Sequence, residues 1–372
     1  MIWNMYSQNM NANNQKRNKK KKRNFIFRGV SILCTIVFLV SGLCGCTAGG
    51  NGEKNLPKDQ KKLRVVTTIF PQYDFVRQIA GDNVSLTMLL KPGEETHSYE
   101  PTPQDIIAIQ NADLFIYVGG ENDEWVEDIL ESPEMEDVKR LRLVDCVGNI
   151  LAEEHVEGMK EERGHSHEDE EEESHDEEEH FLHSAEETEE EHNEHVHTMD
   201  EHVWTSPGNA IDIVEHITEE LCSLDSEHGQ TYKDNAEAYE TQLKELDTAF
   251  RGVVENAKNH TLLFGDRFPF RYFAAEYGLD YYAAFSGCAS DTEPSAATMA
   301  FLINKVKEEH IPVVLKMELS NDNIANAIAE ACDVPVKVFY SSHNISAKQF
   351  EAGVTYLDLM KENVETLKEA LR

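Results

Sequence analysis

Two short motifs and the tract between them carry the residues of this chain best suited to chemistry. Residues 92–103 read Pro-Gly-Glu-Glu-Thr-His-Ser-Tyr-Glu-Pro-Thr-Pro, centred on His97. Residues 200–207 read Asp-Glu-His-Val-Trp-Thr-Ser-Pro, centred on His202. From 153 to 201 lie nine of the chain's 16 histidines among 23 Asp and Glu residues, with almost nothing able to build a core. Neutral imidazole suits borderline metals such as zinc, and clustered carboxylates concentrate cations. A plain acidic stretch would not need the histidines, so the composition points to metal capture or sensing.

A third candidate is His343, in Tyr340-Ser341-Ser342-His343-Asn344. Prolines 92, 101 and 103 stiffen the loop around His97, which favours a ligand held ready before binding. His216, His228, His260 and His310 sit on predicted helices or at their ends and read as structural. His97, His202 and His343, by contrast, each fall where a predicted strand gives way to a loop or helix. That convergence is harder to obtain by chance than any one of them.

The elements that position them alternate. Residues 63–69 form a β-branched run that predicts a buried strand, with a helix over 73–80 and a second strand over 84–90. His97 lies in the loop that follows, and Pro103 opens a helix. A third strand is expected over 114–118, a helix around 125–130 and a short strand near 141–144. After His202 comes an amphipathic helix over 208–221. Then Tyr232, Ala236, Tyr239, Leu243, Leu246, Phe250, Val253 and Ala257 recur in steps of three and four, which is one long helix with a continuous apolar stripe. Beyond it strands are expected over 261–264, 280–285, 312–317 and 336–339. Helices alternate with them over 270–277, 295–309, 321–331 and, as one closing helix, 347–371. The fold class is therefore α/β: two lobes, each a parallel sheet flanked by helices, bridged by one long helix. Ligands of such sheets bind beyond the carboxyl ends of the strands, where His97 falls.

The remaining composition sets the context. Residues 16–28 hold eight Lys and Arg and no acid, followed by an apolar run over 30–43 and Cys44-Gly45-Cys46. That is the pattern of a secretory signal, and the apolar run is short for a membrane span. An uncleaved N-terminal anchor is the alternative. Loss of residues 1–45 leaves 26 basic against 70 acidic residues, a net charge of −44, which excludes nucleic acid as a partner. Residues 46–62 suit a flexible tether. The expected division is then a first lobe over 63–225 containing the disordered His/acid loop 153–199, a linking helix over 226–259 and a second lobe over 260–372. Cys146, Cys222, Cys288 and Cys332 show no zinc-ribbon spacing. Cys288–Cys332 is the one pairing suggested.

From about Leu63 to Arg372 the chain resembles the metal-binding solute-binding lipoproteins of bacterial ABC importers, in their zinc-uptake branch. The resemblance rests on the His97 segment, residues 200–207, Tyr272-Phe273 with Tyr277-Gly278-Leu279, and the His-rich insert. Leu43-Cys44-Gly45-Cys46 is similar to a lipobox, which would make Cys46 the lipidated N-terminus. What the resemblance implies is an extracytoplasmic, lipid-anchored receptor, monomeric, delivering Zn²⁺ to a permease driven by a separate ATPase. It implies His97 and His202 as ligands between two lobes that move little on binding. At the place of the family's third histidine this chain has Arg267, with Asp266 beside it, and at the family's carboxylate position it has His343. Arginine cannot ligate a cation. Either Asp266 takes over, giving a set of His97, His202, His343 and Asp266 at roughly 2.0–2.2 Å per bond, or Asp266 caps or pairs with Arg267 and the site loses that ligand. Glu318 or a water is then the reserve.

Three other readings compete. A manganese or iron receptor of the same family is disfavoured by a nitrogen-rich shell. A zinc hydrolase would need an HExxH-like arrangement or a placed general base, and neither HExxH nor GxSxG is present. An adhesin reading finds no specific surface in the residues.

Overall fold

The computed structural model describes residues 62–94, 99–120, 123–159, 199–287, 289 and 293–372. His97, Cys46, Cys288, the leader and the greater part of the His/acid tract lie outside them. The first sheet holds β1 (Leu63–Thr67), β2 (Val84–Met88), β3 (Leu114–Tyr117) and β4 (Lys139–Arg142). Its order is β2-β1-β3-β4, and all the pairs are parallel. Its helices are α1 (Phe70–Ala80), α2 (Pro103–Gln110) and α3 (Glu124–Leu130). β3 is buried throughout, as expected of a central strand covered on both faces.

Two helices follow, α4 (Pro207–Leu224) and α5 (Gly229–Glu255). The second sheet holds β5 (Thr261–Phe268), β6 (Asp280–Ser286), β7 (Val314–Lys316) and β8 (Val336–Val338), in the order β6-β5-β7-β8, again all parallel. Its helices are α6 (Arg271–Tyr277), α7 (Ala296–Glu308) and α8 (Asn323–Cys332), with α9 (Ala347–Glu351) and α10 (Tyr356–Ala370) closing the chain.

The long helix does what its stripe suggested. Tyr232, Ala236, Tyr239, Leu243, Leu246 and Phe250 are buried. Tyr239 meets Phe75 of α1 at 6.2 Å between ring centroids, and Phe250 meets Phe273 of α6 at 4.9 Å. One helix thus packs on both lobes. A single apolar cluster runs through Val65 and Phe75 of the first lobe, the α5 stripe, and Phe264, Phe273 and Phe339 of the second.

Three expectations need correction. The closing helix over 347–371 is two helices, because Gly353 adopts φ 74° and Thr355 starts afresh with a capping box to Asp358. The fourth strand lies two residues earlier than 141–144, and Leu143–Cys146 is a 3₁₀ turn. Cys146, Cys222 and Cys332 are free thiols, and the suggested Cys288–Cys332 pairing falls on Cys288, outside the described residues. Residues 153–159, assigned to the His/acid loop, pack on the second lobe: Glu154 bonds Arg271 and Tyr281, and Phe301 fills the space a side chain at Gly158 would need. Among the described residues no helix is long and apolar enough to cross a membrane.

Candidate metal centre

His202 precedes the short 3₁₀ turn Val203–Thr205 that leads into α4. It is fully buried. Asp200 Oδ1 accepts hydrogen bonds from both its backbone N–H, at 2.9 Å, and its ring Nδ1, at 3.0 Å. A carboxylate oxygen only accepts, so Nδ1 carries a proton, and in the neutral ring Nε2 holds the lone pair. That Nε2 is buried and has no hydrogen-bond partner among the described residues. Such an arrangement, a carboxylate orienting an imidazole whose other nitrogen faces inward, is the one found behind metal-bound histidines. Burial works against charge on His202, but the charge and hydrogen bond of Asp200 outweigh it, and the pKa is held above the ordinary histidine value.

Two further contacts fix the Asp200 segment. Tyr272 of α6 donates its hydroxyl to the Asp200 carbonyl at 2.8 Å and accepts from Leu151 N at 3.2 Å. Gly287, just past β6, lies against the ring: a Cβ there would stand 3.1 Å from His202 Cε1 and 3.1 Å from the Phe268 carbonyl. Only glycine allows that approach without displacement.

His343 comes from the other side, in the loop after β8. Its ring centroid lies 4.7 Å from that of His202, edge to face. Trp204 packs against both rings, at 4.8 Å from His343 and 5.6 Å from His202, and donates Nε1–H to the Ser341 carbonyl at 2.9 Å. Asn344 then ties this loop to the one that leads to His97, since its Nδ2 donates to the carbonyls of Lys91 and Glu94, both at 2.8 Å. Phe70 N also donates to the His343 carbonyl, at 3.3 Å.

The expected carboxylate behaves differently. Asp266 sits at a register shift of β5 against β6, between Phe264 and Arg267. Its Oδ1 accepts from Arg267 N at 2.9 Å. Its Oδ2 accepts from Met317 N at 3.0 Å and from the Ser320 hydroxyl. Oδ2 therefore braces the loop after β7. Glu318 lies in that loop and is half-buried; desolvation pushes its pKa up to about 7 against the hydrogen bonds from Ser341. Glu318, Arg267, His343, Asn344 and Glu94 line one pocket of about 130 Å³. Among the described residues no three His, Cys, Asp or Glu side chains group closely enough to hold a metal, and His97 is outside that set.

Of the sequence-derived candidates, then, His202 and His343 meet, and the root of the His97 loop is fastened beside them. Asp266 is engaged elsewhere. The supporting roles of Asp200, Tyr272, Trp204 and Gly287 were not foreseen. Asp200 and Trp204 stand inside the motif that singled out His202, which was the available signal.

The family described as zinc-uptake complex component A, periplasmic, matches residues 65–370. The zinc-binding protein AdcA of Streptococcus pyogenes is 34% identical over 312 residues, covering 82% of this chain and 56% of that protein. This chain thus spans little more than half the length of such streptococcal relatives. The high-affinity zinc uptake system protein ZnuA of Bacillus subtilis is 31% identical over 341 residues, covering 90% of this chain and 94% of that protein. Among solved structures, the Zn(II)-bound ZnuA-like domain of Streptococcus pneumoniae AdcA superposes with a TM-score of 0.63 at 28% identity, over 83% of this chain and 99% of that domain. A lipoprotein of Bacillus subtilis, YcdH, gives 0.64 at 27%, over 84% and 100%. With the two parallel sheets, the bridging helix and the paired histidines, this match across most of the chain establishes that the protein belongs to the zinc-uptake complex component A family.

Proposed function

We propose that this protein is an extracytoplasmic zinc receptor that delivers Zn²⁺ to an ABC-type import permease powered by a separate ATPase. Zinc is its cargo, and it carries out no catalysis. The observation that carries the reading is the buried Nε2 of His202, with Nδ1 fixed by Asp200 and the ring of His343 at 4.7 Å. A buried nitrogen with an unused lone pair is costly unless something binds it. The names of AdcA and ZnuA, and the Zn(II) in the structure of the AdcA domain, supply the identity of the cation. Lipid attachment at Cys46 and action as a monomer complete the proposal; one pneumococcal relative is named a zinc-binding lipoprotein.

His97, His202 and His343 are the proposed nitrogen ligands. Asp266 would have to give up its bonds to Met317 N and Ser320 to join them. We therefore assign it to the loop brace in the metal-free protein and leave the fourth position to solvent or to a residue near His97. The lobe division at the linking helix, 63–225 and 260–372, is kept as part of the same reading.

The test is a competition titration against a zinc chelator. The parent should hold one zinc tightly, and His97→Ala with His202→Ala should abolish that site while leaving the fold intact. A double variant that binds as tightly as the parent sinks the assignment.

A further inference from the structure

The second site loop contains a hydrogen-bonded chain that the zinc reading does not use. Glu318 is half-buried, and both oxygens of its carboxylate turn to Ser341. Its Oε2 accepts from Ser341 N at 2.8 Å and its Oε1 from the Ser341 hydroxyl at 2.8 Å. The same hydroxyl oxygen lies 3.2 Å from His343 Nδ1. A serine has one hydroxyl proton, and here it goes to the carboxylate. Towards His343 the oxygen can then only accept, so Nδ1 must be the protonated ring nitrogen. This leaves Nε2 as the atom with the lone pair.

Backbone geometry supports the arrangement. Ser342, between the two partners, has φ 61°, and Leu319, next to Glu318, has φ 60°. Non-glycine residues pay a steric cost in the left-handed region. Paired in facing loops, they are strain of the kind that gathers at functional sites. The turn at Ser342 brings the side chains of Ser341 and His343 to the same side, and His343 N approaches Ser341 Oγ at 3.4 Å.

We infer that Glu318 is a positioning residue which, through the Ser341 hydroxyl, fixes the tautomer and orientation of His343 for metal binding. It stands to His343 as Asp200 stands to His202, with one hydroxyl interposed. The inference rests on the proposal that His343 ligates zinc. It removes Glu318 from the coordination sphere, where sequence alone had kept it in reserve.

Three variants test this: Ser341→Ala, Ser341→Thr and Glu318→Gln. Zinc affinity by chelator competition should fall about ten- to hundred-fold in Ser341→Ala and Glu318→Gln, the usual cost of losing an outer partner of a metal-bound histidine. Ser341→Thr keeps a hydroxyl and should restore it. Cobalt(II)-loaded protein should show the same visible band positions in all of them, because the ligands are unchanged. In metal-free protein labelled with ¹⁵N-histidine, His343 should be Nδ1-protonated in the parent and shift towards the other tautomer in Ser341→Ala. A purely structural role for Ser341 would not move that signal. Should Glu318→Gln not fold, Ser341→Ala carries the test alone. A changed cobalt spectrum in Glu318→Gln makes Glu318 a ligand and overturns the inference, as does an unchanged affinity and tautomer in Ser341→Ala. Parent-like affinity in His343→Ala would instead overturn the ligand assignment beneath it, so the two failures are distinct.

Discussion

His202 and His343 reach the same place by different means. The first is held directly by a carboxylate and crowded from behind by the backbone at Gly287. The second is held through a serine. The crowding can be tested. Gly287→Ala introduces a methyl 3.1 Å from His202 Cε1 and 3.1 Å from a carbonyl that cannot retreat freely. The ring must shift by a few tenths of an ångström, and its bond to Asp200 must lengthen. We expect zinc affinity to fall roughly tenfold, with a stability loss of about 1–3 kcal/mol typical of overpacking. Chelator competition and denaturant unfolding measure the two effects, and an affinity equal to that of the parent would mean the ring tolerates the displacement. The meeting of His202 and His343 was legible in the sequence because strand ends and motif spacing are local signals. Their partners were not. Whether Glu318 faces a metal or a serine depends on how two loops from different strands meet, which no local pattern encodes. Asp266 shows the same limit, since its place beside Arg267 was plain but its bonds run to Met317 and Ser320, some fifty residues on.

Among the elements, the turn between β3 and α3 offers a clear electrostatic test. Asp123 is buried there, and its Oδ2 accepts from Val118 N at 2.7 Å and Gly119 N at 3.1 Å. Burial, and then the charge of Glu201, push its pKa up to about 7 despite those bonds. An unfolded aspartate ionises near 3.9. Between about pH 4 and pH 7 the unfolded chain therefore releases this proton while the folded chain keeps it, and stability declines as pH rises. Below pH 4 the effect vanishes, and above pH 7 it is complete, at roughly 4 kcal/mol as an upper bound. Asp123→Asn keeps an acceptor for both N–H groups and removes the titration. Unfolding midpoints in the presence of a chelator should decline less with pH across that window than in the parent. Parallel curves for the two proteins would show that Asp123 ionises normally. Element positions were well marked by periodicity, because buried parallel strands and long amphipathic helices carry strong patterns. The break in the closing helix was also written in the chain, as Gly353 followed by the Thr355–Asp358 box, but apolar spacing on both sides masked it.

At the scale of the whole molecule, the His/acid tract leaves and re-enters on anchored chain. Ala152 pairs with Met199 as an antiparallel bridge, and residues up to Met159 pack on the second lobe. Replacing 160–198 by a short Gly/Ser linker should then preserve the thermal midpoint to within a few degrees and keep the single tight zinc, while weaker zinc equivalents disappear. Calorimetry and a zinc titration would decide; a variant that loses its tight zinc would show that the tract completes the site. The two-lobe plan followed from strand and helix alternation, whereas the depth of contact between the lobes did not, since it depends on which faces of α5 and α10 each lobe covers. α10 follows the second sheet but docks on the first lobe, where Tyr356 N donates to Asp74 at 2.7 Å and its hydroxyl to the Trp204 carbonyl at 2.7 Å.

The apolar cluster that runs without a break from Val65 through α5 to Phe339 makes the body mechanically stiff. Prising its sheets apart would expose close-packed aromatic surface to water at about 25 cal/mol for each Å². An ion that swung one lobe against the other would have to offset that cost. We therefore expect a filled and an empty molecule to differ mostly in the loop residues around the ion. Whatever reads that difference from outside would then do so by touch, at short range, at the loops that hold His202 and His343.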